Sequence, residues 1–157
     1  GFIIHVIFTF FRKERSIPSE LIAVMTLTSS ILAMQYVQTG IVKNTGWLLW
    51  ILSILYFWSS VFYIKMRVRR QINKLNSTSI TLACHLYHAF LIIILAGFAI
   101  YRLTPVLTLA AFLPIVVRAY TGIQPSGKLN LKRIGLTEVA YTFFFISCIA
   151  LSLESFR

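Results

Sequence analysis

The chain has 157 residues, of which 58% are apolar and only 12% are charged. A soluble domain averages about 45 to 50% apolar and about 25% charged residues, so this composition excludes an ordinary water-exposed surface. Fifteen Lys and Arg residues against four Glu and no Asp give a net charge of +11. Because the basic residues fall in short runs between long apolar stretches, they indicate loops that face anionic membrane lipids, and nucleic acid is not predicted as a partner.

Five apolar stretches predict membrane-spanning helices, since about 20 mainly apolar residues are needed to cross about 30 Å of hydrocarbon. In chain order they are Leu21 to Val42, Trp47 to Ile64, Ile80 to Tyr101, Leu103 to Val117 and Ile134 to Leu153. The fourth stretch is short, and we expect Pro105 to lie in its first turn and Pro114 to form a kink near its end.

The N-terminal residues form an apolar stretch of about eleven residues that ends at Arg12. This stretch is too short to cross a membrane and predicts part of a further helix. We therefore expect the sequence to be the C-terminal part of a longer protein. The predicted fold is all-α: a polytopic transmembrane helix bundle of five spans plus a partial N-terminal helix, forming a single domain over residues 1–157.

The positive-inside rule gives the predicted orientation. Twelve Lys and Arg residues fall in one set of alternate loops and three in the other. The basic set, which includes the loop Lys65 to Ser79, is therefore predicted to face the cytoplasm. An error in the number of helices would break this alternation, so the count also favours Leu103 to Val117 as a crossing. The run KMRVRR at the start of that loop is interpreted as an ordinary basic anchor.

Five ionisable residues are predicted to line a polar cavity that opens to the cytoplasm, because ionisable groups within a membrane are costly and mark candidate functional sites. His85 and His88 lie three residues apart, hence on one face of their helix, and Glu138 lies about one turn into the last span. Arg67 and Arg118 lie at the inner ends of their helices. Among the candidate partners of Glu138 we rank Arg118 first, because neighbouring helices in the chain are usually neighbours in space.

Structural interpretations of the same residues remain open. The two histidines are typical of hydrogen-bonded packing residues, and Glu138 could cap its own helix or extend to the interface. His5 could complete a bis-imidazole haem site with His85 or His88, but spacing does not show that they face each other. Cys84 and Cys148 lack a CxxC spacing and are interpreted as apolar packing residues. No metal or cofactor is predicted.

No catalytic motif is present, so the sequence leaves open whether the chain is an enzyme. It contains no GxSxG, no HExxH and no Gly-rich phosphate loop. Without Asp and with only four Glu, the paired carboxylates that would hold a magnesium diphosphate cannot be assembled from these residues.

Two segments carry a resemblance to a known family. The stretch WLLWILSILYFWSSVFYIKMRVR, Trp47 to Arg69, and the later KRIGLTE, Lys132 to Glu138, resemble the YwiC-like family of bacterial integral membrane proteins. The resemblance extends over nearly all of the chain and implies a multi-pass protein of the bacterial inner membrane. It implies no mechanism, because the family has no established activity. Its members are longer at the N-terminus, where a His-Gly-containing segment is expected.

The predicted function is binding of a lipid or isoprenoid-like ligand in the cytoplasm-facing cavity, since cationic residues at an apolar mouth suit an anionic head group with a long tail. Membrane lipids are the other expected partners. A helical bundle with polar residues at its cytoplasmic mouth is also similar to the UbiA-type prenyltransferases, although the Asp-rich motifs of those enzymes are missing. The alternatives are a UbiA-like membrane transferase, a small transporter and a haem-binding subunit.

Overall fold

The computed structural model describes residues 17–72, 77–122 and 131–154, and every regular element in these ranges is a helix. We number them α1 (Ile17–Thr28), α2 (Ser30–Thr39), α3 (Asn44–Ile72), α4 (Ser77–Ile100), α5 (Val106–Ala110), α6 (Leu113–Thr121) and α7 (Leu131–Glu154). The partial helix expected before Arg12, and His5 within it, lie outside the described residues.

Within the described ranges, four helical segments are long and apolar enough to cross a membrane. They are Ile17–Thr39, Asn44–Gln71, Thr78–Ile100 and Lys132–Ser152. The prediction of an all-α fold is therefore confirmed for the described residues, as is the prediction of several helices long and apolar enough to cross a membrane. The fifth predicted span corresponds to the shorter apolar segment Val106–Thr121, whose length alone does not establish a crossing.

The chain forms two compact units, Gly1–Val61 and Phe62–Arg157. In the first, α1 and α2 form one interrupted span. Hydroxyls of Thr28 and Ser29 donate to carbonyls three or four residues earlier, a pattern that bends helices at Ser and Thr. The span ends at Thr39, before the predicted Val42, because Gly40 adopts a φ of 73° and its N–H donates to the Tyr36 carbonyl.

The connection between α2 and α3 is held by one amide side chain. Gln35 Oε1 accepts from the Lys43 backbone N–H at 2.9 Å, and Gln35 Nε2 donates to Thr45 Oγ1 at 3.2 Å. A Cβ at Gly46 would collide with the same amide. A single glutamine therefore satisfies polar groups of a turn that joins two membrane-length helices.

Helix α3 extends beyond its predicted end. It was expected to stop at Ile64, but it continues to Ile72 and so has 29 residues, a length of about 43 Å. The basic run after Ile64 contains no Gly or Pro, Lys and Arg are good helix formers, and positive charge near a helix C-terminus is favourable. The run therefore forms the last turns of a helix instead of the beginning of a loop.

In the second unit, α4 packs against α5 and α6, and α5 packs against α7. The predicted fourth span is broken at Ala111 and Phe112. Pro114 has no N–H for the Ala110 carbonyl, and its ring crowds that carbonyl, so the break lies one turn before the proline. The kink is thus in the middle of the segment and not near its end as expected, while Pro105 immediately precedes α5.

A buried hydroxyl pair joins the broken segment to the last helix. Thr108 Oγ1 donates to Ser152 Oγ at 3.1 Å, and Ser152 Oγ donates to the Ile149 carbonyl. We expect Thr108→Val to lower the free energy of unfolding in detergent by about 0.6 kcal/mol, the average for such bonds between membrane helices. The control is Thr121→Val, which removes an exposed hydroxyl bonded within its own helix. Equal stability of the two variants would contradict this assignment.

Candidate functional site

A buried ion pair forms the centre of the candidate site. Arg118 lies in the last turn of α6 and Glu138 in α7, and the Arg118 guanidinium donates to Glu138 Oε1. The two side chains are only 6% and 14% exposed. The prediction that Arg118 is the partner of Glu138 is therefore confirmed. Because an unpaired charge is costly in an apolar environment, each residue neutralises the other.

Two tyrosines surround the guanidinium. Arg118 Cζ lies 4.2 Å from the centre of the Tyr63 ring and 5.3 Å from the centre of the Tyr141 ring. Both distances are within the range of cation–π contacts, which strengthen when water is excluded. Tyr63 is itself buried. The arginine is thus held by α3 and α7 as well as by its own helix.

Gly122 connects the end of α6 to α3. Its carbonyl accepts from an Arg67 guanidinium N–H at 2.7 Å, and its own N–H donates to the Arg118 carbonyl at 2.8 Å. A Cβ built on Gly122 would lie 2.7 Å from the Tyr63 hydroxyl. Arg67 and Arg118, both predicted site residues, are therefore brought to the same glycine.

Arg70 makes a further contact between helices. Its Nε donates to Thr81 Oγ1 of α4 at 3.0 Å. Arg69, in contrast, is exposed. Arg67 and Arg70 therefore hydrogen-bond to other parts of the second unit, and the interpretation of the basic run as a membrane anchor stays a prediction.

The two histidines have different surroundings. His88 is fully buried, and its Nδ1 lies 2.7 Å from the Cys84 carbonyl. Since a carbonyl oxygen only accepts, Nδ1 carries the proton and donates. His85 stacks on Tyr120 of α6, with ring centres 5.2 Å apart and planes 23° apart. His88 thus bonds to the backbone of its own helix, and His85 contacts the helix that carries Arg118.

The metal and haem hypotheses gain no support from these positions. Within the described ranges, no three or more His, Cys, Asp or Glu side chains are grouped so that they could hold a metal ion. The bis-imidazole hypothesis needs His5, which lies outside those ranges. Cys84 and Cys148 are both buried, as expected for packing residues.

An open groove of about 390 Å³ lies in the first unit. It is lined by Ser30, Ile31, Met34, Gln35, Gln38, Gly46 and Leu49. None of the five residues predicted to line a polar cavity contributes to it. The groove and the ion pair are therefore separate features of the molecule.

Sequence reasoning missed Tyr63, Gly122 and also Tyr141, which lies three residues after Glu138 on the same helix; Tyr63 and Gly122 each carried a signal. Tyr63, Met66, Arg67 and Arg70 follow the spacing i, i+3, i+4, i+7, which places them on one helical face once α3 is extended through the basic run. A glycine directly after a helical stretch is a known sign of a helix end. Both signals were present, but the assumed helix end at Ile64 concealed the first.

Comparison with other proteins adds no relative: no family model, curated protein or solved structure matches the chain. The resemblance to the YwiC-like family and the fold-level similarity to UbiA-type enzymes therefore stay proposals. Function is to be inferred from the chemistry around Arg118 and Glu138.

Proposed function

We propose that this chain is a multi-pass, YwiC-like protein of the bacterial inner membrane that binds the anionic head group of a lipid or isoprenoid-like ligand. The proposed site is a cytoplasm-facing polar cavity that includes Arg67, His85, His88, Arg118 and Glu138. The observation that carries the proposal is the buried Arg118 guanidinium, paired with Glu138 and surrounded by two tyrosine rings, in a helical unit otherwise rich in apolar residues.

The balance of charge near this pair favours an anionic ligand. The turns of α3, α6 and α7 that carry the proposed site contain one acid, Glu138, and several bases: Lys65, Arg67, Arg69, Arg70, Arg118, Lys132 and Arg133. Cationic side chains attract phosphate-bearing head groups, and the adjoining apolar helices offer a surface for a long hydrocarbon tail. A neutral or cationic ligand has no comparable reason to bind here.

The proposal is tested by lipid retention in nanodiscs of phosphatidylcholine doped with anionic phospholipid, with bound lipid counted by native mass spectrometry. Arg118→Gln should weaken retention of the anionic lipid by at least about tenfold, because charge-assisted hydrogen bonds contribute about 1.5 to 3 kcal/mol. Arg69→Gln, which removes the same charge from an exposed position, is the matched control. Equal retention by the two variants would rule out the proposed site.

The proposed orientation makes its own prediction. A cysteine introduced at Asn44 should react with a membrane-impermeant thiol reagent in intact cells, whereas a cysteine at the exposed Lys132 should react only after the cells are opened. The native Cys84 and Cys148 are buried and give a low background in the unmodified chain. The opposite labelling pattern would place the ion pair at the outer side and refute the cytoplasm-facing site.

A small transporter is the second candidate, favoured by the break between α5 and α6. Transporters often use discontinuous helices at their substrate sites, and Val106–Thr121 is interrupted at Ala111 and Phe112. At 16 residues this segment is about 24 Å long, and we propose it as the fifth crossing. Uptake of an anionic solute into liposomes that contain the protein, abolished by Arg118→Gln, would favour transport over simple lipid binding.

A further inference from the structure

Glu138 accepts from one terminal nitrogen of the Arg118 guanidinium and neutralises its charge, as an anionic ligand would also do. A guanidinium binds anions through its N–H groups, and carboxylates and phosphates share the same geometry of approach. Aromatic rings such as those of Tyr63 and Tyr141 contact a cation through their π faces and do not replace an anionic acceptor. The carboxylate that accepts from Arg118 comes from the protein itself.

An anionic ligand at Arg118 must therefore either replace this intramolecular carboxylate or bind beside it against its negative charge. Groups held on one rigid framework act at a high effective concentration, which exceeds that of most free ligands. A ligand carboxylate, or a phosphodiester with a single negative charge, offers Arg118 little more than Glu138 already does. A phosphate monoester carries a charge of about −1.5 to −2 and three acceptor oxygens, so it can win this competition.

We propose that Glu138 is the specificity-determining residue of the site and restricts it to lipids with a phosphate-monoester head group. This inference rests on the proposed function, because it assumes that an anionic head group binds at Arg118. It names the class of ligand: a membrane lipid that ends in a phosphate monoester, in preference to a phosphodiester lipid or a fatty acid.

The test compares three probes in phosphatidylcholine nanodiscs: phosphatidic acid, phosphatidylglycerol and oleate. The unmodified chain should retain phosphatidic acid roughly tenfold more tightly than either of the others. Glu138→Gln should raise retention of phosphatidylglycerol and oleate and bring the ratio close to one. Glu20→Gln is the matched control, because it removes the same charge from α1 in the first unit and should keep the original ratio.

The outcomes separate the two proposals. Equal retention of phosphatidic acid and phosphatidylglycerol by the unmodified chain, with both lost in Arg118→Gln, would overturn the selectivity and leave the lipid site standing. Retention that is insensitive to Arg118→Gln would refute the site itself. If Glu20→Gln changes the retention ratio of phosphatidic acid to the other two probes as much as Glu138→Gln does, the selectivity depends on the net charge of the protein. That result would also overturn the assignment to Glu138.

A second measurement covers the case in which Glu138→Gln does not fold. A hydrophobic carbodiimide reacts with carboxyl groups in apolar surroundings, and modification of Glu138 in the unmodified chain can be followed by mass spectrometry. Phosphatidic acid should displace the Glu138 carboxylate from Arg118 and increase its modification several-fold relative to phosphatidylcholine alone. Modification that is unchanged by phosphatidic acid would show that the ion pair does not open for this ligand, which overturns the inference.

Discussion

Replacing Glu138 by Gln is expected to lower the free energy of unfolding by about 3 to 5 kcal/mol, the range for removing one partner of a buried ion pair. The loss arises because Arg118, only 6% exposed, keeps its charge in apolar surroundings. Arg118→Gln should cost a similar amount by leaving the carboxylate without its partner. The double variant should be more stable than either single one, since it buries no uncompensated charge.

The measurement is the fraction folded in mixed micelles as a denaturing detergent is added, for both single variants, the double variant and Arg69→Gln. The last removes one positive charge from an exposed position and should change stability by no more than about 1 kcal/mol. If the effects of the two single variants simply add in the double variant, Arg118 and Glu138 are not coupled. Ligand retention by Glu138→Gln is to be measured under conditions in which this variant stays folded, well below the denaturing-detergent content at its unfolding midpoint.

Much of the fold could be predicted because apolar length is a strong signal in membrane proteins. Four predicted spans coincide with helices long enough to cross a membrane. The partner of Glu138 could also be predicted, since a costly buried charge needs a counter-charge and Arg118 is the nearest base on the preceding helix. Both predictions rest on a physical requirement: the apolar length needed to cross a membrane and the pairing of a buried charge. Neither depends on the helix propensity of single residues.

Helix boundaries were less predictable because they depend on local hydrogen bonding. The end of the first span is fixed by the positive φ of Gly40, and the break before Pro114 follows from one missing backbone donor. Hydropathy locates neither feature. The same limitation placed the end of α3 at Ile64, where apolar residues stop, although the helix continues to Ile72.

The contacts around Arg118 were the least predictable part of the site. Tyr63 and Gly122 look like an interface aromatic and a helix end in the sequence, and only the three-dimensional arrangement brings the tyrosine to the glycine and the guanidinium. A sequence pattern gives the face on which a residue lies, but it does not give the side chain that will be opposite. The five predicted site residues therefore omitted Tyr63 and Gly122, and also Tyr141, whose ring contacts the same guanidinium.

Gly122→Ala is expected to destabilise the second unit by about 1 to 3 kcal/mol, the usual cost of adding atoms to a packed site. The backbone of Gly122 has a φ of −70°, which any residue adopts, so the effect comes from space alone. Its added Cβ would lie 2.7 Å from the Tyr63 hydroxyl and 2.8 Å from the Arg118 carbonyl. Because that hydroxyl belongs to the ring beneath Arg118, relief of the collision should also disturb the cation–π contact.

Gly135→Ala is the matched control, because a Cβ at Gly135 meets nothing within 4 Å and alanine is the better helix former. This variant should be as stable as the unmodified chain or slightly more stable in the same detergent titration. Tyr63→Phe removes the closest atom, so combining it with Gly122→Ala should recover part of the lost stability. If Gly122→Ala is no less stable than Gly135→Ala, the close approach of α3 and α6 at this glycine is not required. That result would show that the Tyr63 ring can move away from the added Cβ without loosening Arg118.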